Sequence, residues 1–219
     1  MEKTTIDFLK KLKINNNKVW FEENRKNYEL AKADMEQLVL QVIAGLTAID
    51  IRYGELTVKQ CMFRINRDVR FSKDKSPYKT NLGAGFSIGG KKSTGAGFYL
   101  HIEPEHSFIG GGLWMPPADA LKKIRQEIDY QSKDFLQIIE NNNFVKCFSG
   151  LSEEDALKNA PKGYENDHPM LRFLRLKSFV ATHPLKDSEV LDKNSLQSIM
   201  ENVKCLSPLI AFINKAMEE

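Results

Sequence analysis

The sequence predicts an α+β fold, with an antiparallel meander sheet of four or more strands packed by N- and C-terminal helices. Two observations predict it. Apolar residues recur every three or four positions up to about residue 50 and again after 115, but between 57 and 114 the period falls to two. Links within that middle region are short and turn-rich, and no crossover helix fits between its strands, so a parallel sheet is excluded. Helices, then strands, then helices again is an α+β order. No repeat, low-complexity tract or long Pro/Gly/Ser linker interrupts it. The expectation is one domain over 1–219: helical over 1–50, sheet over 57–114 and mainly helical over 115–219. A chain of 219 residues suffices for a sizeable core.

Taken in order, Thr4 or Thr5 is placed to cap a short helix through Phe8, Leu9 and Leu12, which "INNN" breaks. A longer helix from about Lys18 to Ala48 carries Tyr28, Ala31, Met35, Leu38, Val39, Val42 and Leu46 on one stripe. In "QCMFRINRDVRF", Cys61, Phe63, Ile65, Val69 and Phe71 share one parity, while Arg64, Asn66, Asp68 and Arg70 share the other. That alternation predicts a half-buried strand with a buried Cys61/Phe63/Ile65 face. "NLGAGFSI", "FYLHIE" and "SFIGGGLW" supply three more strands. "PPADALKKIRQEI" opens a helix with an early Pro and Asp. Helical patterning resumes around Phe135–Ile139, after Ser152, around Met170–Leu174, and in two segments from about Asn194 and Pro208. "LKSFVATHPL" reads as one further strand.

Composition narrows the class. The chain is 42% apolar and 28% charged, with no run near the roughly 18 apolar residues of a membrane span. Its N-terminus lacks the features of a secretory signal or transit peptide. Cys61, Cys147 and Cys205 are odd in number and widely spaced, with no CxxC pair, which suits a reducing cytoplasm. Each reads as a small buried apolar residue. A net charge of +3 is too mild for a general nucleic-acid binder.

The charge is unevenly placed, however. "FRINRDVRFSKDKSPYKTN", residues 63–81, holds six Lys and Arg against two Asp, leaving the rest of the chain with 26 basic and 27 acidic residues. On a strand, side chains two apart share a face, so Asp68 is placed to orient Arg70, and Arg64 needs a partner such as Glu103 or a ligand. Arg67 falls on the apolar parity, so it is either re-aimed by a turn or bulge, or buried with a paired acid. Lys75, Tyr78 and Lys79 belong to a turn-rich loop beyond Phe71. Guanidinium forks and ammonium groups match phosphate or carboxylate oxygens. The alternatives are an anion site built from Arg64, Arg67, Arg70, Lys75, Tyr78 and Lys79, or an exposed ion-pair network.

That stretch, with "NNNKVWFEENRKNYE", "GAGFYLHIEPEHSFIGGGLW" and "APKGYENDHP", resembles the conserved hypothetical proteins of domain of unknown function 2461 over nearly the whole chain. The resemblance implies a single-domain protein, and it brings no catalytic residue with it.

Other motifs fall short. "GFSIGGKK" approaches a phosphate loop but has Lys92 where the metal-binding hydroxyl belongs, so it reads as a glycine-rich hairpin turn. "SKDK" at Ser72 has Ser-x-x-Lys spacing in a loop context rather than on a helix. "GGG" at 110–112 fits either an anion cradle or close packing. His101, His106, His168 and His183 show no metal-ligand spacing, and neither metal nor cofactor is expected. Recognition of a phosphorylated or other anionic ligand, such as a phosphate-bearing small molecule, is the leading expectation. A hydrolase at the same site, with Asp68 or His101 moving protons, is the second. A module for an acidic protein or single-stranded nucleic acid is the third. It is weakened because Phe63 and Phe71 have core parity, leaving only Tyr78 to stack. No membrane partner is expected.

Overall fold

The N-terminal helices follow from where the asparagines stand. A computed structural model of the protein describes residues 1–218, and in it α1 (Lys3–Ile14), α2 (Lys18–Glu23) and α3 (Arg25–Ile49) succeed one another. Asn17 caps α2 by accepting from the Trp20 N–H at 3.0 Å. The single helix expected from Lys18 is broken at Asn24, whose side chain donates to the Trp20 carbonyl and competes with the backbone ladder. Neither Thr4 nor Thr5 caps α1. Glu2 stands at the cap, and the buried Thr5 hydroxyl donates to Asp34 on α3 at 2.6 Å, as does the Glu2 N–H at 2.9 Å.

A 3₁₀ turn (Ile51–Glu55) and α4 (Val58–Cys61) follow, then β1 (Leu82–Phe86), β2 (Gly97–Ile102), β3 (Ser107–Leu113), α5 (Ala118–Tyr130), α6 (Ser132–Ile139), α7 (Asn142–Phe148), α8 (Leu171–Leu174), β4 (Phe179–Leu185), α9 (Asp187–Val190) and α10 (Ser195–Glu218). Among the described residues the sheet has four antiparallel strands in the order β1-β2-β3-β4, confirming the α+β class. Among the described residues no helix is long and apolar enough to cross a membrane.

The described chain forms two compact units. The first gathers Met1–Lys92, Tyr99–Ile109 and Pro184–Met200. Its helical core is the α3 stripe of Ala31, Met35, Leu38, Val39, Val42, Ile43 and Leu46, all buried. The strand expected over 60–71 does not form. A capping box between Thr57 and Gln60 winds Cys61 into α4. Beyond it only two isolated bridges remain, Met62 to Ala84 and Asn66 to Tyr78, and the partner register slips by two residues between them. Cys61 and Ile65 are buried, but Phe63 is 38% exposed and Phe71 96% exposed. The expected buried face is therefore lost. The fourth strand of the sheet is β4, from "LKSFVATHPL".

The second unit gathers Ser93–Phe98, Gly110–His183 and the stretch beginning at Glu201. Phe135 is fully buried, with the Phe173 and Phe212 rings 5.2 and 5.4 Å from its own. Close packing accounts for the triple glycine. Gly112 has φ +122°, and a Cβ there would run into the Phe179 carbonyl. No helix follows Ser152. Ser152 N–H instead donates to Val180 O and Leu157 N–H to Arg175 O, at 2.9 and 2.8 Å. The two expected C-terminal segments are one helix, α10, with Pro208 inside it.

Candidate functional site

On β2 the alternation holds. Phe98, Leu100 and Ile102 are buried, and Tyr99 and His101 lie on the opposite face, with Glu103 following in the same register. His101 Nε2 is 3.1 Å from Glu103 Oε2, and its Nδ1 is 3.3 Å from both Asn81 Nδ2 and the Tyr99 hydroxyl. One tautomer satisfies all three contacts: Nε2–H donates to the carboxylate while Nδ1 accepts. Thr80 donates to the second carboxylate oxygen at 2.6 Å. Burial pushes Glu103 upward, but the Thr80 and His101 hydrogen bonds outweigh it and hold the carboxyl below its usual range. The Tyr99 phenol is raised, chiefly by burial. Phe108 stacks on the imidazole at 4.8 Å and fixes the ring plane. Gly83 is bare because a Cβ there would sit 2.6 Å from the Tyr99 oxygen.

Above this network runs the basic stretch. Asn16 clamps it by pairing its amide with both the Tyr78 N–H and C=O, at 3.1 and 2.9 Å. The Tyr78 ring is buried against Phe21, with centroids 3.9 Å apart. Arg67 is re-aimed as one of the two expected arrangements required. It bonds Asp74 and the Ser76 carbonyl, while its backbone N–H bonds Pro77 O. Ser76 and Arg67 together hold the Asp74 carboxyl far below the usual carboxylate range. Arg70 grips Asp68 with two donors, at 2.9 and 2.6 Å. That bond, above all, keeps Asp68 ionised below its ordinary value, so Asp68 is poorly suited to proton transfer near neutral pH. Lys75 donates to Val69 O.

Arg64 and Lys79 of the stretch are joined by Lys91 from outside it. Lys79 Nζ and Lys91 Nζ lie 5.4 and 5.9 Å from the centre of the exposed Phe63 ring. Lys79 is pushed below its ordinary 10.5, first by burial, then by the charges of Arg64 and Lys91. Lys91 donates to the Lys59 carbonyl at 2.7 Å and to that of Met62. Among the described residues no carboxylate pairs with Arg64, Lys79 or Lys91. Glu103, the partner expected for Arg64, is taken by Thr80 and His101. Lys79 also lines a cleft of about 390 Å³ with Lys13, Asn16, Arg67, Asp74 and Tyr78 among its walls. Lys13 makes no ion-pair contact among the described residues, although its charge helps to lower Glu103. The Phe63 ring meets Tyr99 edge-on at 5.9 Å, linking the cations to the His101 network.

Residues 4–212 match the family model described as conserved hypothetical protein (DUF2461). The chain belongs to that family. Among curated proteins and solved structures nothing matches it.

The DUF2461 stretches serve different ends in this chain. In "APKGYENDHP", His168 has both nitrogens engaged, by Asp129 at 3.0 Å and by the Met170 N–H at 3.1 Å, and the Tyr164 ring meets it edge-on. It is a structural tie. Of the residues singled out in the basic stretch, Arg64 and Lys79 come together, whereas Arg67 and Arg70 are paired and Tyr78 is packed away. Sequence reading missed Lys91 and Lys13. Lys91 did carry a signal, since it stands in "GFSIGGKK", and the glycine turn there returns it to the Gln60 carbonyl. Lys13 carried none beyond its place before "INNN". Among the described residues no three His, Cys, Asp or Glu side chains gather as metal ligands do.

Proposed function

We propose that this protein is a cytoplasmic binder of a phosphorylated or other anionic ligand, held by Arg64, Lys79 and Lys91 around Phe63, with Lys13 along the adjoining cleft. The observation that carries the reading is that Arg64, Lys79 and Lys91 crowd one another with no carboxylate in ion-pair contact with them among the described residues. Folding like charges together is unfavourable, and an anion relieves it. Phosphate oxygens suit an Arg fork flanked by two ammonium groups. Phe63 offers an apolar face beside them for the remainder of the ligand.

Hydrolysis of a bound phosphoester is the second reading. It is favoured by the Glu103–His101–Tyr99 chain, which reaches the cations through Phe63. Glu103 would stabilise an imidazolium formed when Nδ1 takes a proton.

A thermal titration tests the first reading and a phosphate-release assay the second. Pyrophosphate at millimolar concentration is expected to raise the melting temperature of the wild type, because a ligand that binds only the folded state stabilises it. Arg64→Ala and Lys79→Gln should lose the rise, while Arg70→Ala should keep it, since its guanidinium is committed to Asp68. A wild type unmoved by inorganic phosphate, pyrophosphate and nucleotides alike would overturn the proposal. Phosphate release from aryl phosphates that survives His101→Ala would remove the hydrolase reading.

A further inference from the structure

Outside that site, the second unit brings two cysteines together that lie far apart in the sequence. Cys147 is on α7 and Cys205 on α10, both free and both partly exposed. Their sulfur atoms are 2.8 Å apart, hydrogen-bonded, against a bonded separation of about 2.04 Å. A cleft of about 500 Å³ opens beside Cys205, lined also by Asn141, Phe144, Lys204 and Pro208 among others. Pro208 has no N–H to give the Lys204 carbonyl one turn earlier, so the helix ladder is interrupted at the cleft wall. On the far side, His183 Nδ1 is 2.7 Å from the Cys147 carbonyl oxygen and ties the C-terminal end of α7 down.

We propose that Cys147 and Cys205 form a dithiol that a hydroperoxide oxidises to an intramolecular disulfide. Cys205 is held in its protonated form, first by burial and then by its hydrogen bond to, and the charge of, Cys147. Either sulfur can donate that hydrogen bond, and in the proposed reaction Cys147 is the sulfur that attacks. The Cys147 thiolate, having given up its proton to solvent, attacks one peroxide oxygen, which stays on the sulfur as the sulfenic hydroxyl while the O–O bond breaks. The other oxygen leaves as water, or as an alcohol from an organic peroxide, after taking up a proton. The Cys205 sulfur then attacks that sulfenic sulfur. The S–S bond forms, and the hydroxyl leaves with the Cys205 proton as a second water. Two thiols are oxidised and one O–O bond is reduced. Because the sulfurs already touch, the second step needs little movement and outruns further oxidation of the sulfenic acid. Cys61 provides an internal control, since it is buried and its thiol is pushed up to about 11.

The reduced full-length chain, freed of reductant and treated with one equivalent of hydrogen peroxide, tests this by mass spectrometry without reduction. The expected product has lost two hydrogen atoms, carries a Cys147–Cys205 linked peptide, retains a free Cys61 and returns to the starting mass with dithiothreitol. In Cys205→Ser, a sulfenic acid should persist on Cys147, where dimedone traps it. Oxygen added to single cysteines of the wild type with no linked peptide would overturn the proposal. So would a link through Cys61 or between two chains. The wild-type map decides the matter even if the variant folds poorly.

Discussion

At the scale of single residues, Lys79 shows how the site is balanced. Its ammonium lies 5.4 Å from the Phe63 ring, a cation–π contact of about 0.5–1 kcal/mol at exposed sites. Its pKa is nevertheless lowered, so burial and the neighbouring Arg64 and Lys91 charges outweigh that attraction. Between the depressed folded value and the ordinary 10.5, the unfolded chain binds more protons than the folded one. The free energy of unfolding therefore rises with pH across that window, and the destabilisation from a charged Lys79 is fully present at neutral pH. Lys79→Met is expected to be more stable than the wild type at pH 7, with the difference shrinking as pH climbs towards 10.5. Chemical denaturation at several pH values measures it. A difference that stays constant over that range would remove the electrostatic explanation. Which cations lack acids was not legible in the sequence. Asp68 beside Arg70 followed from strand spacing, but Asp74 reaches Arg67 only because the Ser72–Ser76 turn folds back, and Lys91 arrives from another loop.

At the scale of elements, the period-two signal was sound wherever both strands of a pair kept one register. β1, β2 and β3 stand where alternation put them, and β4 was legible in "LKSFVATHPL". The 60–71 stretch alternates as well as any of them, yet it makes only two bridges because its partner slips by two residues between Met62 and Asn66. Pattern reports which side chains could share a face, and register depends on a partner that the pattern does not contain. Proline misled in the other direction: Pro208 suggested a helix start, but α10 runs through it, with seven apolar residues beyond Met200 buried on its inner face. Gly112 gives the element-scale test. Its φ of +122° and the Phe179 backbone against it leave no room for a methyl group. Gly112→Ala should lower the free energy of unfolding by at least about 1–3 kcal/mol, the range for a strained backbone position. Urea denaturation reads the change. A variant as stable as the wild type would mean that β3 and β4 pair more loosely than the structure has them.

At the scale of the whole molecule, positive charge is gathered in one place. Residues 63–81 carry +4 against −1 for the rest of the chain, and folding neutralises that surplus only in part. Arg67 and Arg70 take the two aspartates of the stretch, while Arg64, Lys73, Lys75 and Lys79 make no ion-pair contact among the described residues, and Lys91 joins Arg64 and Lys79. A surplus gathered in one place attracts anions of any kind at low salt, so strength of binding alone does not identify the ligand. Its dependence on salt does. The Debye length is about 10 Å at 0.1 M ionic strength, and partly buried contacts such as those of Lys79 are screened less than exposed ones. A small phosphate compound seated on Arg64, Lys79 and Lys91 should therefore weaken only moderately between low and physiological salt. A single-stranded oligonucleotide lying across Phe63 and the fully exposed Phe71 would release counterions at each phosphate contact. Its affinity would then fall with a log–log slope of about −0.7 per contact. We expect the first behaviour, with pyrophosphate competing away any oligonucleotide. Fluorescence anisotropy with a labelled oligothymidine, repeated at several salt concentrations and with pyrophosphate added, separates the two. A steep slope that pyrophosphate fails to blunt would move the ligand from a small anion to a nucleic-acid strand.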